Sequence, residues 1–460
     1  MFEGRTIGIA GMGRSGIGAA KAIIRRGGKV VLYDEKQVVS TAQLEQIEQL
    51  QGLRAQVISG WHGRFENPEF DLLISSPGMR RDHPALLDAV RLQIPIWSEV
   101  ELAYQISEAP ILAITGTNGK TTSVVLSWLL AKSCTNALLC GNIAGSGYEE
   151  LTLCEAADIA QPEDLLVAEV SSYQLEWIEE FAPKVAAITN ITPDHLDRHP
   201  NFEDYRDTKF RIFENLDEGD CAVVIAAEGG FPPEQMLAAI PAGPEIRFAG
   251  EKSAGYPTES WIESDHVMLR GLETGPFEQR SLPIVGRHNF LNLVTAWEMV
   301  IAALEDRADP AKMFAALQQY KGVENRMEII SDEGGVRVIN NSMCTNPAAV
   351  ISSLRGISGK IRPIMGGVTK QLDFAPVKNF FEANGIQAYV FGSTEPGGLL
   401  EQLGETARPF SSLEEATVAA LTDASCGETV ILAPGCASAA PFANFMERGA
   451  EFKRIVRNRA

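Results

Sequence analysis

Lys120, Thr121 and Thr122 close the run ITGTNGKTT, and ahead of them Ile111 to Ile114 forms an apolar stretch of strand composition. A glycine-bearing loop between such a strand and the helix-forming segment SVVLSWLLAK is the arrangement that holds a nucleoside triphosphate. Backbone N–H groups of Gly116, Thr117, Asn118, Gly119 and Lys120 can converge on phosphate oxygens at the positive end of a helix. The Lys120 ammonium then reaches the β- and γ-phosphates, and the Thr121 hydroxyl can ligate Mg²⁺. Thr115 stands where the first glycine of the common GxxxxGK[ST] spacing would be, so the loop is a variant of that pattern. ATP use is the expectation that anchors the rest.

Two further runs carry metal-binding side chains: Glu169-Val-Ser171-Ser172, and Asn190-Ile-Thr-Pro-Asp194-His195-Leu-Asp197-Arg198-His199. Each ends an apolar strand-like segment. A parallel sheet points its carboxyl ends one way, which would put both runs on the edge that bears the phosphate loop. Glu169 and His195 would then reach metal ions shared with ATP phosphates. A strand-end glutamate alone is ordinarily just solvated and a lone histidine is more often structural, so the weight rests on their company with the loop. A third constellation opens the chain. Thr6 to Ala10 reads as a strand, Gly11, Gly13 and Gly16 follow in GMGRSG, a helix runs through Ala19 to Arg26, and a strand from Lys29 to Tyr33 ends in Asp34. This is a nucleotide-diphosphate-binding βαβ pattern, with an acid placed for a ribose hydroxyl.

The elements that must position these residues read as α/β throughout. At 460 residues, about three domains are expected. In the first, Phe70 to Ser75 is a strand ending in the turn Ser76-Pro77-Gly78, and Ile94 to Trp97 is its remaining strand. Beyond Ser98 come a helix over Glu99 to Gln105, the phosphate loop, and strands at Leu165 to Val170 and Val185 to Asn190. The segment 242–285 suggests a small antiparallel addition, and Asn289 to Leu304 a long helix. After Gly322, strands are expected at Val336 to Asn340, Arg362 to Met365, Ala388 to Phe391 and Thr429 to Leu432.

A formal net charge of −20 argues against wrapping nucleic acid, yet leaves room for anionic small substrates held by amides, Mg²⁺ and a few placed cations. Seven scattered cysteines without a CxxC pair read as reduced thiols, and MFEGRTIGIAG reads as a first strand without the basic start of an export signal. With no apolar run long enough to span a bilayer, no membrane association and a cytoplasmic location are expected.

GTNGKTT, EVSSYQLE, NITPDHLDRHPNFEDYRDTK, GRHNFLN, ENRME, SMCTNPAA, GGVTKQLDF and APGCASAAPFANFMERGAEF together resemble the Mur ligases over nearly the whole chain. The similarity is greatest to members that add D-glutamate to UDP-N-acetylmuramoyl-L-alanine. It implies three α/β domains: a Rossmann-like UDP-binding domain at 1–98, a central P-loop domain with a mostly parallel sheet at 99–322, and a C-terminal Rossmann-like acceptor-binding domain at 323–460. It also implies a monomer acting in peptidoglycan synthesis and so in cell division. The reaction would be ATP-driven amide formation through an acyl phosphate. Lys120, His195 and Lys209 would be catalytic. Two Mg²⁺ would be held by Thr121, Glu169, His195 and a carbamylated Lys209. ATP would be met by residues 116–122 and by Asn289, Asn292, Arg326 and Asn341. The UDP substrate would be met by Gly13, Arg14, Ser15, Asp34, Glu35, Ser76, Gly78, Asn142 and Ser171, and D-glutamate by Thr345, Lys370, Ser438 and Phe445.

The chain departs from that family in the motifs around Asn325 and Asn341. Asn341-Ser342-Met343-Cys344-Thr345-Asn346 stands where Asp-Ser-Lys-Ala-Thr-Asn is usual, and Asn325 stands for a histidine. Asn341 keeps hydrogen bonding without the charge, and Met343 removes a cation near the acceptor. Three other functions therefore compete: a ligase with a changed acceptor such as L-glutamate, a UDP-sugar-binding relative without turnover, and an NAD-dependent oxidoreductase. Intact Lys120, Glu169, His195 and Lys209 speak against the second. The oxidoreductase leaves the phosphate-loop domain unexplained.

Overall fold

Apolar runs broken by glycine-led turns fold into a first sheet of five described strands: β1 (Thr6–Ala10), β2 (Lys29–Asp34), β3 (Ala55–Ser59), β4 (Leu72–Ser75) and β5 (Ile96–Ser98). Their order is β3-β2-β1-β4-β5, and every pairing is parallel. The computed structural model describes residues 2–36, 52, 55–196, 198–284, 286–355, 357, 359–369, 372–392, 397–438 and 441–459. Ile7, Ile9, Leu72 and Ile74 face one apolar cluster while Leu73 joins Phe65, Phe70 and Leu86 in another, so the central strands are covered on both sides. The expected strand from Phe70 begins at Leu72 instead; the Phe70 ring lies over Gly8, where a Cβ would come within 2.8 Å of it. The helix after the glycine turn starts at Arg14 and not Ala19. Strand β3 was not expected; AQVIS is largely half-exposed at the sheet edge and lacks the apolar run that marks the inner strands.

The second sheet holds β6 (Ile111–Thr115), β7 (Ala137–Gly141), β8 (Leu165–Glu169), β9 (Val185–Ile188), β10 (Cys221–Ala226), β11 (Glu245–Glu251), β12 (Thr258–Glu263), β13 (His266–Met268) and β14 (Phe277–Glu278). They lie in the order β14-β13-β12-β11-β10-β9-β6-β8-β7. The antiparallel addition expected at 242–285 is smaller than that: β11 and β12 extend the parallel ladder, and only β13 and β14 run antiparallel. Ser98 ends β5 and caps the helix Glu99–Ile106 by accepting from the Glu101 N–H. One apolar cluster runs from Phe2 through Val100 and Ile111 to Met236, so the first two sheets share a core.

These two sheets belong to one compact unit, Met1–Ala144, Glu149–Glu278 and Leu291–Leu317; a second unit comprises Gly145–Tyr148, Gln279–Phe290 and Gln318–Ala460. The second unit has β15 (Glu328–Ser331), β16 (Arg337–Asn340), β17 (Ile361–Gly366), β18 (Ala388–Phe391), β19 (Ala407–Phe410) and β20 (Thr429–Leu432), ordered β15-β16-β20-β17-β18-β19. Only the β15–β16 pairing is antiparallel among them. Ile339, Met365, Val390 and Ile431 pack on one face, and Val338, Ile364, Tyr389 and Val430 on the other. None of the cysteines forms a disulfide, and no described helix is long and apolar enough to cross a membrane.

Candidate active site

In the central sheet β6 pairs with β8 and β9, and β8 with β7, all in parallel, with Glu169 opposite both Ile114 and Gly141. The phosphate loop, Glu169 and the loop after β9 therefore leave the sheet at one edge. Two glycines shape the turn. Gly116 has φ +144°, and a Cβ there would sit 1.9 Å from Thr189 Oγ1. Gly119 has φ +82° and caps the helix Lys120–Lys132; a Cβ on it would come 2.6 Å from Asn292 Oδ1, which places Asn292 against the loop. Asn118 is pinned from three sides: its N–H donates to Asn190 Oδ1 (3.0 Å), and its carbonyl accepts from Thr189 Oγ1 (2.6 Å) and Asn190 Nδ2 (2.9 Å). The Lys120 ammonium folds over the loop, donating to the carbonyls of Gly116 (2.9 Å) and Thr117 (3.0 Å). Thr122 is buried on the same first turn.

Beside the loop, Thr121 Oγ1 donates to Glu169 Oε2 at 2.6 Å, and Glu169 is only 3% exposed. Lys209, carried by the helix Phe202–Phe210, is 2% exposed. Its ammonium donates to Gly116 O (2.9 Å) and Thr115 Oγ1 (3.3 Å) and lies over the Tyr205 ring. No carboxylate pairs with it among the described residues. Burial, reinforced by the nearby Lys120 charge, pulls its pKa well below the ordinary lysine value, so it tends toward the neutral amine. Tyr205 in turn bonds Thr117 Oγ1 at 3.0 Å. His195 has φ +54° in the loop after β9, and its Nδ1 lies 2.6 Å from the Tyr173 hydroxyl.

These residues suit Mg²⁺, a hard ion that takes oxygen ligands and keeps part of its shell for water and phosphate. The Thr121 hydroxyl and Glu169 carboxylate touch each other next to the phosphate loop. Among the described residues no three His, Cys, Asp or Glu side chains gather to hold a metal by themselves, so water or substrate oxygens would complete any shell.

Gly13, Arg14 and Ser15 form the start of the helix Arg14–Arg25, which Gly13 caps without a side-chain hydrogen bond. Arg14 donates to the carbonyls of Ile143 and Glu150, both at 3.3 Å. Asp34, expected at a ribose, receives the N–H groups of Met12 and Lys36, each at 2.8 Å, and thus braces the glycine turn. Glu35 pairs with His83 at 3.0 Å. Ser76 packs against Gly11, and Gly78 follows in the same turn after β4. Asn142 is brought to the catalytic edge by its N–H, which donates to the Glu169 carbonyl (2.8 Å). Ser171 caps the short helix after β8 by accepting from the Gln174 N–H.

Asn289, Arg326, Asn341, Thr345, Ser438 and Phe445 lie in the second unit; Lys370 and Asp197 fall outside the described residues. Asn341 is buried and committed, accepting from Met327 N–H (3.2 Å) and donating to Ser353 Oγ (2.8 Å). Asn325 Oδ1 accepts from Asn340 Nδ2 (2.9 Å), and a side chain at Gly449 would strike it. Ser438 Oγ is buried with no hydrogen-bond partner among the described residues. Phe445 begins the helix Phe445–Arg457, and its carbonyl accepts from Ser342 Oγ (2.8 Å).

Arg448 on that helix was read only as part of a motif. Its guanidinium is fully buried, donating to Ser342 Oγ (3.1 Å) and O (2.8 Å), Gly366 O (3.3 Å) and Cys436 O (3.2 Å). It thereby ties together the segments leaving β16, β17 and β20, which are neighbours in the sheet. Burial among neutral oxygens lowers its pKa to about 10. The sequence does hold a signal: Arg448, Gly449, Phe452, Ile455 and Val456 share the buried helix face, so a charge sits where the pattern calls for an apolar residue.

The family profile of the Mur ligase middle domain matches residues 114–300. The chain is 34% identical to the UDP-N-acetylmuramoylalanine–D-glutamate ligase of Thermoanaerobacter sp. (strain X514), over 99% of this chain and 98% of that protein. It is 33% identical to the enzyme of that name from Koribacter versatilis (strain Ellin345), over 100% and 98%. Among solved structures, UDP-N-acetylmuramate-alanine ligase MurC of Thermotoga maritima aligns with a TM-score of 0.59 at 19% identity, covering 99% of this chain and 100% of that one. The MurF ligase of Thermotoga maritima in complex with ADP aligns at 0.56 and 17% identity, covering 94% and 96%. At such identities the structural likeness concerns the fold.

Proposed function

We propose a specific reaction from one premise: this chain belongs to the Mur ligase family, with relatives alignable over its whole length. It is an ATP-dependent carbon–nitrogen ligase of peptidoglycan-precursor synthesis. The reaction we assign is the addition of D-glutamate to UDP-N-acetylmuramoyl-L-alanine. The observation that carries it is the full-length similarity to enzymes of that name, joined by the gathering of Lys120, Thr121, Glu169 and Lys209 at one sheet edge.

The terminal carboxylate of the UDP substrate attacks the γ-phosphorus of ATP, the bond to the bridging oxygen breaks, and ADP leaves. The neutral amine of glutamate then attacks the acyl carbon, and phosphate departs as the amide forms and the amine proton is lost. Phosphoryl transfer depends on positioning and on neutralising charge. The loop amides and Lys120 supply both, and residues 116–122, Asn289, Asn292 and Arg326 are assigned to ATP. Two Mg²⁺, held by Thr121, Glu169, His195 and Lys209, would neutralise the phosphate charge. In Lys209 the neutral amine would add CO2 and release a proton, which converts a buried lysine, bonded to no carboxylate among the described residues, into an anionic oxygen ligand. We assign the UDP moiety to 1–98, ATP to 99–322 and glutamate to 323–460, with Thr345, Lys370, Ser438 and Phe445 at the acceptor. The enzyme would work as a cytoplasmic monomer, where ATP and the nucleotide sugar are supplied.

Phosphate release from ATP, measured with UDP-N-acetylmuramoyl-L-alanine and a panel of amino acids, tests the assignment. D-glutamate is expected to give the highest kcat/KM. Preference for L-glutamate would establish a changed acceptor, and no release with any amino acid would leave a binding protein. Met343 and Asn341 favour weighing the changed acceptor. Met343 brings no cation to its loop, and both polar atoms of the Asn341 side chain are already bonded within the second unit. Met343→Lys is therefore expected to lower the KM for D-glutamate, by adding a screened attraction to the dicarboxylate. A raised KM, or a gain for another amino acid, would put the changed acceptor ahead.

A further inference from the structure

Arg198 follows His195 by three residues, yet its contacts reach far from that loop. The guanidinium is nearly buried and forks onto the carboxylate of Glu176, with Nε to Oε1 at 3.1 Å and Nη2 to Oε2 at 2.6 Å. The same group donates to the carbonyls of Pro77 and Met79, both at 2.7 Å. These carbonyls belong to the turn after β4, more than a hundred residues upstream. Its plane also lies 3.9 Å from the centre of the Tyr173 ring. Tyr173 is the side chain whose hydroxyl meets His195 Nδ1 at 2.6 Å. One arginine thus holds the Ser76–Gly78 turn, and the ring that holds His195, in fixed register.

A second tie runs from the same N-terminal loop. Arg81 pairs with Asp204 at 3.0 Å and donates to Thr208 Oγ1 at 2.8 Å, next to Lys209 on its helix. Asp204 also bonds His199 Nδ1 (2.7 Å), and the His199 ring stacks with that of Tyr173 at a centroid distance of 6.2 Å. The segment after β4 is therefore anchored to the loop that carries His195 and to the helix that carries Lys209.

We infer that Arg198 and Tyr173 are positioning residues that register the UDP-substrate turn against the metal site, Tyr173 by orienting the His195 ring and Arg198 by clamping that turn to Tyr173. The inference rests on the assignment of His195 to the metal and of Ser76–Gly78 to the UDP substrate. A hydrogen bond to the second ring nitrogen fixes the tautomer and angle of a metal-bound histidine, and losing such a partner typically costs about 10–100-fold in metal affinity or activity. Arginine suits the clamp because its planar fork pairs bidentately with the Glu176 carboxylate while its remaining N–H groups reach the two carbonyls, a geometry that an ammonium cannot reproduce.

Tyr173→Phe removes the hydroxyl and keeps the ring beneath Arg198; Arg198→Lys keeps a cation beside Glu176 and loses the fork. Mn²⁺ binding to the full chain with ADP, followed by electron paramagnetic resonance, reads the metal site without turnover. Steady-state KM for UDP-N-acetylmuramoyl-L-alanine reads the turn, and thermal melting reads the fold. Tyr173→Phe is expected to weaken Mn²⁺ binding about tenfold with the UDP-substrate KM within about twofold of the parent. Arg198→Lys is expected to raise that KM severalfold and to weaken Mn²⁺ as well, with melting close to the parent. Parent-like Mn²⁺ affinity in Tyr173→Phe overturns the role of the hydroxyl, and parent-like KM in Arg198→Lys overturns the clamp. Equal loss of all three readouts in both variants would make the contacts merely structural, which also overturns it. A parent enzyme that binds neither Mn²⁺ with ADP nor the UDP substrate would instead reject the assignments on which the inference rests.

Discussion

Lys120→Ala is expected to leave the fold in place and to slow ligation at least a hundredfold. The lysine opens a helix, where alanine is a better helix former, and its ammonium bonds two carbonyls of its own loop, so little of the core depends on it. What the substitution removes, on the proposed mechanism, is the loop cation assigned to the transferring phosphoryl group. The backbone amides assigned to the other phosphates remain, because Gly116 and Gly119 set the loop's shape and Asn190 and Thr189 fasten it. Losing one preorganised electrostatic partner of a developing charge costs about 3 kcal/mol or more, which is roughly two orders of magnitude in rate. Single-turnover phosphate release, with a melting curve beside it, measures both halves of the expectation. Near-parent turnover would take this loop out of the mechanism.

The loop's chemistry is legible in the sequence because it is contiguous: strand, glycines, lysine and threonine lie within twelve residues, 111–122. Glu169 and His195 were legible one step further off, since parallel strands must deliver their carboxyl ends to one edge, and β6, β8 and β9 do. What escaped were partnerships across long separations and against type. Arg198 reads as one cation in a charged loop until the turn at Pro77 is folded against it. Arg448 interrupts an apolar helix face, and the converging oxygens of Ser342, Gly366 and Cys436 explain a buried charge there. Asp34 shows the reverse: the pattern gives it a ligand, and the structure also gives it the amides of Met12 and Lys36 to hold. Edge strands such as β3 were missed because half-exposed residues carry no continuous apolar run.

Lys209→Ala is expected to be almost inactive and to regain part of its activity when formate or acetate is added. In the fold, Lys209 is buried and meets a hydroxyl, a carbonyl and a ring face; no carboxylate bonds it among the described residues, and burial together with the like charge of Lys120 outweighs the more distant charges of Asp194 and Glu169. Such a group is held at a cost as an ammonium and is favoured as the neutral amine. A neutral amine is the form that adds CO2, and the product is an anion with two oxygens, a better partner for Mg²⁺ than any nitrogen cation. Alanine leaves room where a small carboxylate can enter, which is the reason to expect rescue. Lys209→Arg separates this account from a simple need for positive charge, because the guanidinium keeps its proton and forms no carbamate. It is expected to be as poor as Lys209→Ala and to gain nothing from formate. A carbonyl resonance from ¹³C-bicarbonate should appear with the parent and be missing in both variants. Full activity in Lys209→Arg would show that the site needs a cation at this position, and the carbamate would have to be given up.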